Sequence, residues 1–105
     1  MHAAIAEKRE SLAAICRRYG VARLEVFGSA ARGSDFDPDR SDADFLVEFA
    51  PARGASLLQR YHDLASALET LFGRRVDLVE RAAIEASRNY LRRRAILSEA
   101  ETVYG

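Results

Sequence analysis

The sequence predicts an α/β (α+β) fold, with a mixed, partly antiparallel β-sheet of about four strands covered by helices. Three observations predict it. Four short runs of strand length, residues 24–27, 43–49, 76–79 and 101–104, are separated by stretches with apolar residues at three- and four-residue spacing. Gly20, Gly28, Gly33, Pro51, Gly54 and Gly73 fall between these segments, where turns are needed. No repeat, low-complexity stretch or interdomain linker interrupts the 105 residues, which predicts one domain over 1–105.

Residues 3–19 read as a helix, with Ile5, Leu12, Ile15, Cys16 and Tyr19 recurring at helical spacing and Gly20 as the stop. Leu24, Glu25, Val26 and Phe27 form a short strand that ends at Gly28. Residues 29–33, SAARG, fit one helical turn capped by Ser29 and closed by Gly33, and residues 34–41 are a polar loop. From Ala43 the chain alternates, with Phe45, Val47 and Phe49 on one face of a strand. Ser56 and Gln59 form a capping box for a helix over 56–72. Its apolar stripe comprises Leu57, Leu58, Tyr61, Leu64, Ala65, Leu68, Leu71 and Phe72, and Gly73 ends it. A strand over 76–79, a helical stretch over 82–100 and a last strand over 101–104 complete the order.

Composition excludes several classes. Sixteen cations balance sixteen acids, so generic binding to a phosphate backbone is disfavoured and no direct nucleic-acid binding is expected. Cys16, the one cysteine, rules out an intrachain disulfide and a zinc site built on cysteines. Glu7, Lys8, Arg9 and Glu10 stand where a signal peptide needs an apolar run, and no segment approaches a membrane span. These features predict a cytoplasmic protein. Arg88 and Arg92 to Arg94 make a basic helical segment, read as a solvated face or as a docking surface for an acidic partner or RNA. His62 reads as a helix-flank residue.

Asp35, Asp37, Asp39, Asp42 and Asp44 are five of the chain's seven aspartates. The first three suit a solvated turn. An EF-hand starting at Asp35 would need Gly at position 40 and Glu at 46, where the chain has Arg40 and Leu46. Asp42 and Asp44 instead enter an apolar strand, where residues i and i+2 share a face. Two carboxylates there would repel one another beside a core unless a hard cation such as Mg²⁺ joined them. Asp77 interrupts the apolar run of 76–79, and a buried Asp there needs either an Arg partner or a place in the same metal site. Gly28 and Ser29 join a strand to a helical turn, where a phosphate can approach the backbone closely. Phosphate and metal held side by side equip a site for phosphoryl or nucleotidyl transfer.

The pattern Gly28-Ser29-Ala30-Ala31-Arg32-Gly33, then Ser41-Asp42-Ala43-Asp44 before an apolar strand, then Asp77, resembles the minimal nucleotidyltransferases of the DNA polymerase beta-like superfamily. The resemblance is close over residues 20–80 and looser to both ends. It implies the nucleotidyltransferase fold. It also implies that Asp42, Asp44 and Asp77 ligate two Mg²⁺ ions, with Asp77 helping to activate the attacking hydroxyl. Gly28 and Ser29 would hold the phosphates of ATP. Arg32 would assist them or form an outward salt bridge. The loop from Gly33 to Ser41 is about two residues longer than the family pattern. Proteins of this size in the family are often antitoxins of HEPN-domain RNase toxins, so the resemblance implies transfer of AMP from ATP to a hydroxyl, a tyrosine, of such a partner, in a homo- or hetero-oligomer. The competing readings are a non-catalytic antitoxin that occludes its toxin, and an enzyme modifying a small diffusible hydroxyl compound.

Overall fold

The computed structural model describes residues 3–32, 43–51 and 56–105, with the backbone alone at 29 and 30. The elements are α1 (Ala3–Ala6), α2 (Arg9–Arg18), β1 (Val21–Phe27), α3 (Gly28–Arg32), β2 (Ala43–Phe49), α4 (Leu57–Phe72), β3 (Val76–Glu80), α5 (Arg81–Glu85), α6 (Tyr90–Glu99) and β4 (Glu101–Tyr104). The strands form one sheet in the order β3-β2-β1-β4. β1 is antiparallel to β2 and to β4, whereas β2 and β3 are parallel and joined through α4. The mixed four-stranded sheet expected from the sequence is what the chain builds.

Alternation along the strands splits the apolar side chains between two faces. On one face Leu24, Val26, Phe45 and Val47 pack against Ile5, Leu12 and Cys16 of α1 and α2 and against Leu64 and Leu68 of α4. Phe45 and Phe72 stack there with ring centroids 5.8 Å apart. On the other face Phe27 and Leu46 meet Ile84 of α5 and Ile96 of α6. The sheet is therefore covered on both sides.

The caps explain the clean ends of α4. The Ser56 hydroxyl accepts from the Gln59 N–H at 3.3 Å, and Gly73 closes the helix in the left-handed conformation, at φ +63°. Two helices expected to be continuous are interrupted. The first breaks between α1 and α2, where the Lys8 ammonium donates to the Leu71 carbonyl at 2.7 Å and meets the C-terminal end of α4, a favourable place for a cation. The second breaks at 86–89, where the Asn89 side chain accepts from the Arg92 N–H at 3.1 Å and starts α6 afresh. At the start of α4, Leu57 and Leu58 are exposed rather than part of the buried stripe. His62 is an exposed flank residue, as expected, its ring edge-on to Tyr61.

Candidate active site

Topology gathers Gly28, Asp44 and Asp77 at one end of the sheet. Because β1 runs antiparallel to β2 and β2 parallel to β3, the end of β1 lies beside the starts of β2 and β3. Phe27 is opposite Asp44, and Asp44 is opposite Asp77. In-register residues on neighbouring strands share a face and lie about 5 Å apart. Asp44 and Asp77 therefore stand side by side on the face covered by α5 and α6, with Leu46 and Val79 next along it.

Gly28 follows Phe27 directly and turns the chain into α3 with φ +66°. A Cβ on Gly28 would stand 2.6 Å from Oδ2 of Asp44. Only glycine lets the backbone come this close to the carboxylate while holding a left-handed conformation. The turn and the carboxylate are thus closely apposed. Ser29 continues the backbone of α3. Asp42, like Asp35, Asp37 and Asp39, lies outside the described residues, and no group of three or more ligating side chains occurs among the described ones.

Asp77 corrects one expectation. It is exposed, not buried, because β3 is an edge strand, and no ion pair holds it among the described residues. The Arg-paired alternative is therefore not what the structure shows there. An exposed carboxylate beside a second one on the same face is an oxygen donor set suited to a hard divalent cation. The buried carboxylate with Arg partners is instead Glu25 on β1, only 3 % exposed. It accepts from Arg81 at the start of α5 and lies 3.4 Å from Arg23 Nε. Sequence reasoning passed over Glu25, although it interrupts its strand just as Asp77 does.

Arg32, at the end of α3, forms a two-pronged pair with Glu99 of α6, its Nη1 lying 3.0 and 2.9 Å from the two carboxylate oxygens. An outward salt bridge of Arg32 is therefore present. It ties α3 to the end of α6. A mostly apolar groove of about 570 Å³ runs between α4, β3 and α5, lined by Leu57, Leu58, Tyr61, Leu78, Val79, Glu80 and Ala83. The Tyr61 hydroxyl donates to the Leu78 carbonyl. Burial, then the charges of Asp77 and Glu80, push the Tyr61 pKa above its ordinary value, so the phenol stays protonated beside these carboxylates.

Carboxylates at strand ends beside a tight glycine turn are suited to hold a cation next to a phosphate. Residues 8–102 match the family model of the nucleotidyltransferase domain, and the chain belongs to that family. It is similar to protein adenylyltransferase MntA of Thermococcus cleftensis, with 41% identity over 69 residues that make up 66% of this chain and 65% of that protein. The chain thus spans slightly less than two thirds of the length of that curated relative. A solved structure described as a minimal nucleotidyltransferase superposes with a TM-score of 0.67 at 38% identity, covering 91% of this chain and 89% of the other. The fold recurs in a toxin–antitoxin structure with AMP-PNP, with a TM-score of 0.64 at 19% identity, covering 92% of this chain and 73% of the other. It recurs again in a complex of the tri-AMPylated Shewanella oneidensis HEPN toxin with its MNT antitoxin, with a TM-score of 0.61 at 16% identity, covering 96% of this chain and 72% of the other. No helix among the described residues is long and apolar enough to cross a membrane.

Proposed function

We propose that this chain is a Mg²⁺-dependent nucleotidyltransferase that moves AMP from ATP to a tyrosine hydroxyl of a HEPN-domain toxin and so acts as its cytoplasmic antitoxin. The observation that carries the proposal is the row formed by Gly28, Asp44 and Asp77, two carboxylates in register with a glycine turn against one of them. The partner and the acceptor come from the relatives, which include a protein adenylyltransferase and an AMPylated HEPN toxin bound to its antitoxin.

In this reading Asp44 and Asp77, with Asp42, hold two Mg²⁺ ions. When bound, the metal neutralises charge gathering on the attacking and leaving oxygens. The turn at Gly28 and Ser29 receives the phosphates, the closeness of Gly28 to Asp44 keeping them beside the carboxylates. Arg32 steadies α3 through Glu99. The acceptor oxygen forms a bond to the α-phosphorus while the bond from that phosphorus to the bridging oxygen breaks, and pyrophosphate leaves in line. Asp77, exposed on the edge strand, is the carboxylate open to the incoming hydroxyl and receives its proton.

The test is the intact mass of the HEPN-domain partner after incubation with ATP, Mg²⁺ and this chain. Wild type adds one or more adenylyl groups and Asp44→Asn adds none. Modification by Asp44→Asn at the wild-type rate refutes the site. A stable complex with no modification by wild type replaces the enzyme with an occluding antitoxin.

A further inference from the structure

We propose that the exposed N-terminal half of α6, presenting Tyr90, Leu91, Arg92 and Arg94, is a docking surface for an acidic protein surface with an apolar pocket, carried by the partner that receives the nucleotide. The identity of that partner rests on the function proposed above; the surface itself rests on four observations of this chain.

Charge is segregated. Residues 86–98 hold Arg88, Arg92, Arg93 and Arg94 and none of the sixteen acids, which leaves the rest of this neutral chain net acidic. These arginines lack charge partners among the described residues. On a helix face that is merely solvated, Arg is commonly paired with Glu or Asp one turn away, as Arg81 is with Glu85 at 3.2 Å. Arg88, Arg92 and Arg94 have no ion-pair partner among the described residues. Arg93 is engaged, donating to the Ser87 carbonyl at 3.0 Å and lying over the Tyr90 ring.

The placement also opposes local helix physics. These cations crowd the start of α6, whose first turn holds no acidic residue, and the helix dipole favours negative charge at that end. Finally, two large apolar side chains stand in water among the arginines. Leu91 is 77 % exposed and Tyr90 is 55 % exposed. Tyr and Arg are the types enriched at the energetic centres of interfaces, and an exposed leucine beside them supplies an apolar anchor.

A protein fits better than RNA. Tyrosine and arginine can stack on bases, but Leu91, more exposed than Tyr90, contributes little to a phosphate backbone, and a chain of zero net charge lacks general attraction for one. A nine-residue rise along α6 separates Tyr90 from Glu99, roughly 13 Å. Glu99, at the end of α6, is bonded to Arg32 of α3, so a partner seated on the start of α6 lies a helix length away from that end and leaves it open.

The test titrates the full-length chain into the HEPN-domain protein encoded by the adjacent gene by calorimetry, at two salt concentrations. A fluorescent single-stranded oligoribonucleotide is titrated in parallel. Leu91→Asp and the double variant Arg92→Glu/Arg94→Glu are expected to bind the protein at least tenfold more weakly than wild type, with unchanged thermal midpoints because the side chains are exposed. Leu91→Ile keeps wild-type affinity, and the loss in the arginine variant is larger at low salt. Wild-type affinity in both weakened variants overturns the surface. So does oligoribonucleotide binding that these variants abolish while protein binding persists. Asp44→Asn is expected to bind normally, so loss of transfer in that variant addresses the carboxylate site alone. Absence of any wild-type complex overturns both the partner and this surface.

Discussion

Substituting Gly28 by Ala tests whether the turn and the carboxylate row act as one unit, because a second glycine in the chain provides the control. Gly28 and Gly73 hold nearly the same backbone angle, φ +66° and +63°. An added Cβ meets nothing within 4 Å at Gly73, but stands 2.6 Å from Asp44 Oδ2 at Gly28. The left-handed conformation alone disfavours a side chain by about 1–2 kcal/mol. That is the whole expected effect of Gly73→Ala. Gly28→Ala adds displacement of the Asp44 carboxylate from its rotamer, about 0.5–1.5 kcal/mol more. Thermal unfolding resolves the difference, since 1 kcal/mol moves the midpoint of a domain near this size by roughly 4–8 °C. Transfer is then measured well below both midpoints. Gly73→Ala keeps wild-type transfer, and Gly28→Ala loses about 100-fold, the scale of a 1 Å misplacement of a reacting group. Equal midpoints for the two variants together with full transfer by Gly28→Ala would refute the reasoning.

Other outcomes follow from the same geometry. Phe45→Ala removes a fully buried ring stacked on Phe72 and lowers stability by about 3–5 kcal/mol in urea unfolding. Asp77→Asn leaves the urea midpoint within about 0.5 kcal/mol of wild type, because the side chain is exposed, yet abolishes transfer. Glu25→Ala strands Arg81 against the sheet and destabilises by about 1–3 kcal/mol, whereas Glu85→Ala, at the exposed end of the same network, changes stability by less than about 0.5 kcal/mol. Burial pushes the Cys16 thiol up to about 12 from 9.0, with Arg17 pulling weakly the other way. The unfolded thiol ionises first, so its contribution to stability is complete below pH 9.0 and is lost as pH rises toward about 12. At pH 8 a thiol reagent labels Cys16 only at the rate of opening, and rapid labelling of the folded chain would contradict its burial.

What was legible in the sequence depended on local chemistry. Ser56 and Gly73 marked the ends of α4 because a hydroxyl cap and a left-handed glycine act within a few residues. Alternation through Phe45, Val47 and Phe49 marked β2 because that face packs on the larger core, although Leu46 is buried on the other. That Asp44 and Asp77 stand side by side depends on their strands being neighbours, and that is a property of sheet order. The same property explains the errors. Asp77 and Glu25 interrupt similar apolar runs, but β3 is an edge strand and β1 is central, so one carboxylate reaches water and the other reaches Arg81. Leu57 and Leu58 obey the helical period yet extend past the core they were expected to join. The break before α6 carried a signal that was missed, since Asn89 is an N-cap residue three positions before Arg92.

The measurement that tests the central claim most directly is metal rescue of transfer in Asp77→Cys. Thiolate favours soft cations over Mg²⁺, and the one native thiol, Cys16, is buried and does not compete. If Asp77 ligates the cation, Asp77→Cys is inactive with Mg²⁺ and recovers transfer to the partner when Mn²⁺ or Cd²⁺ is supplied, while Asp77→Ala recovers with neither. Full activity of Asp77→Cys with Mg²⁺, or equal failure of both variants with every metal, would contradict the account.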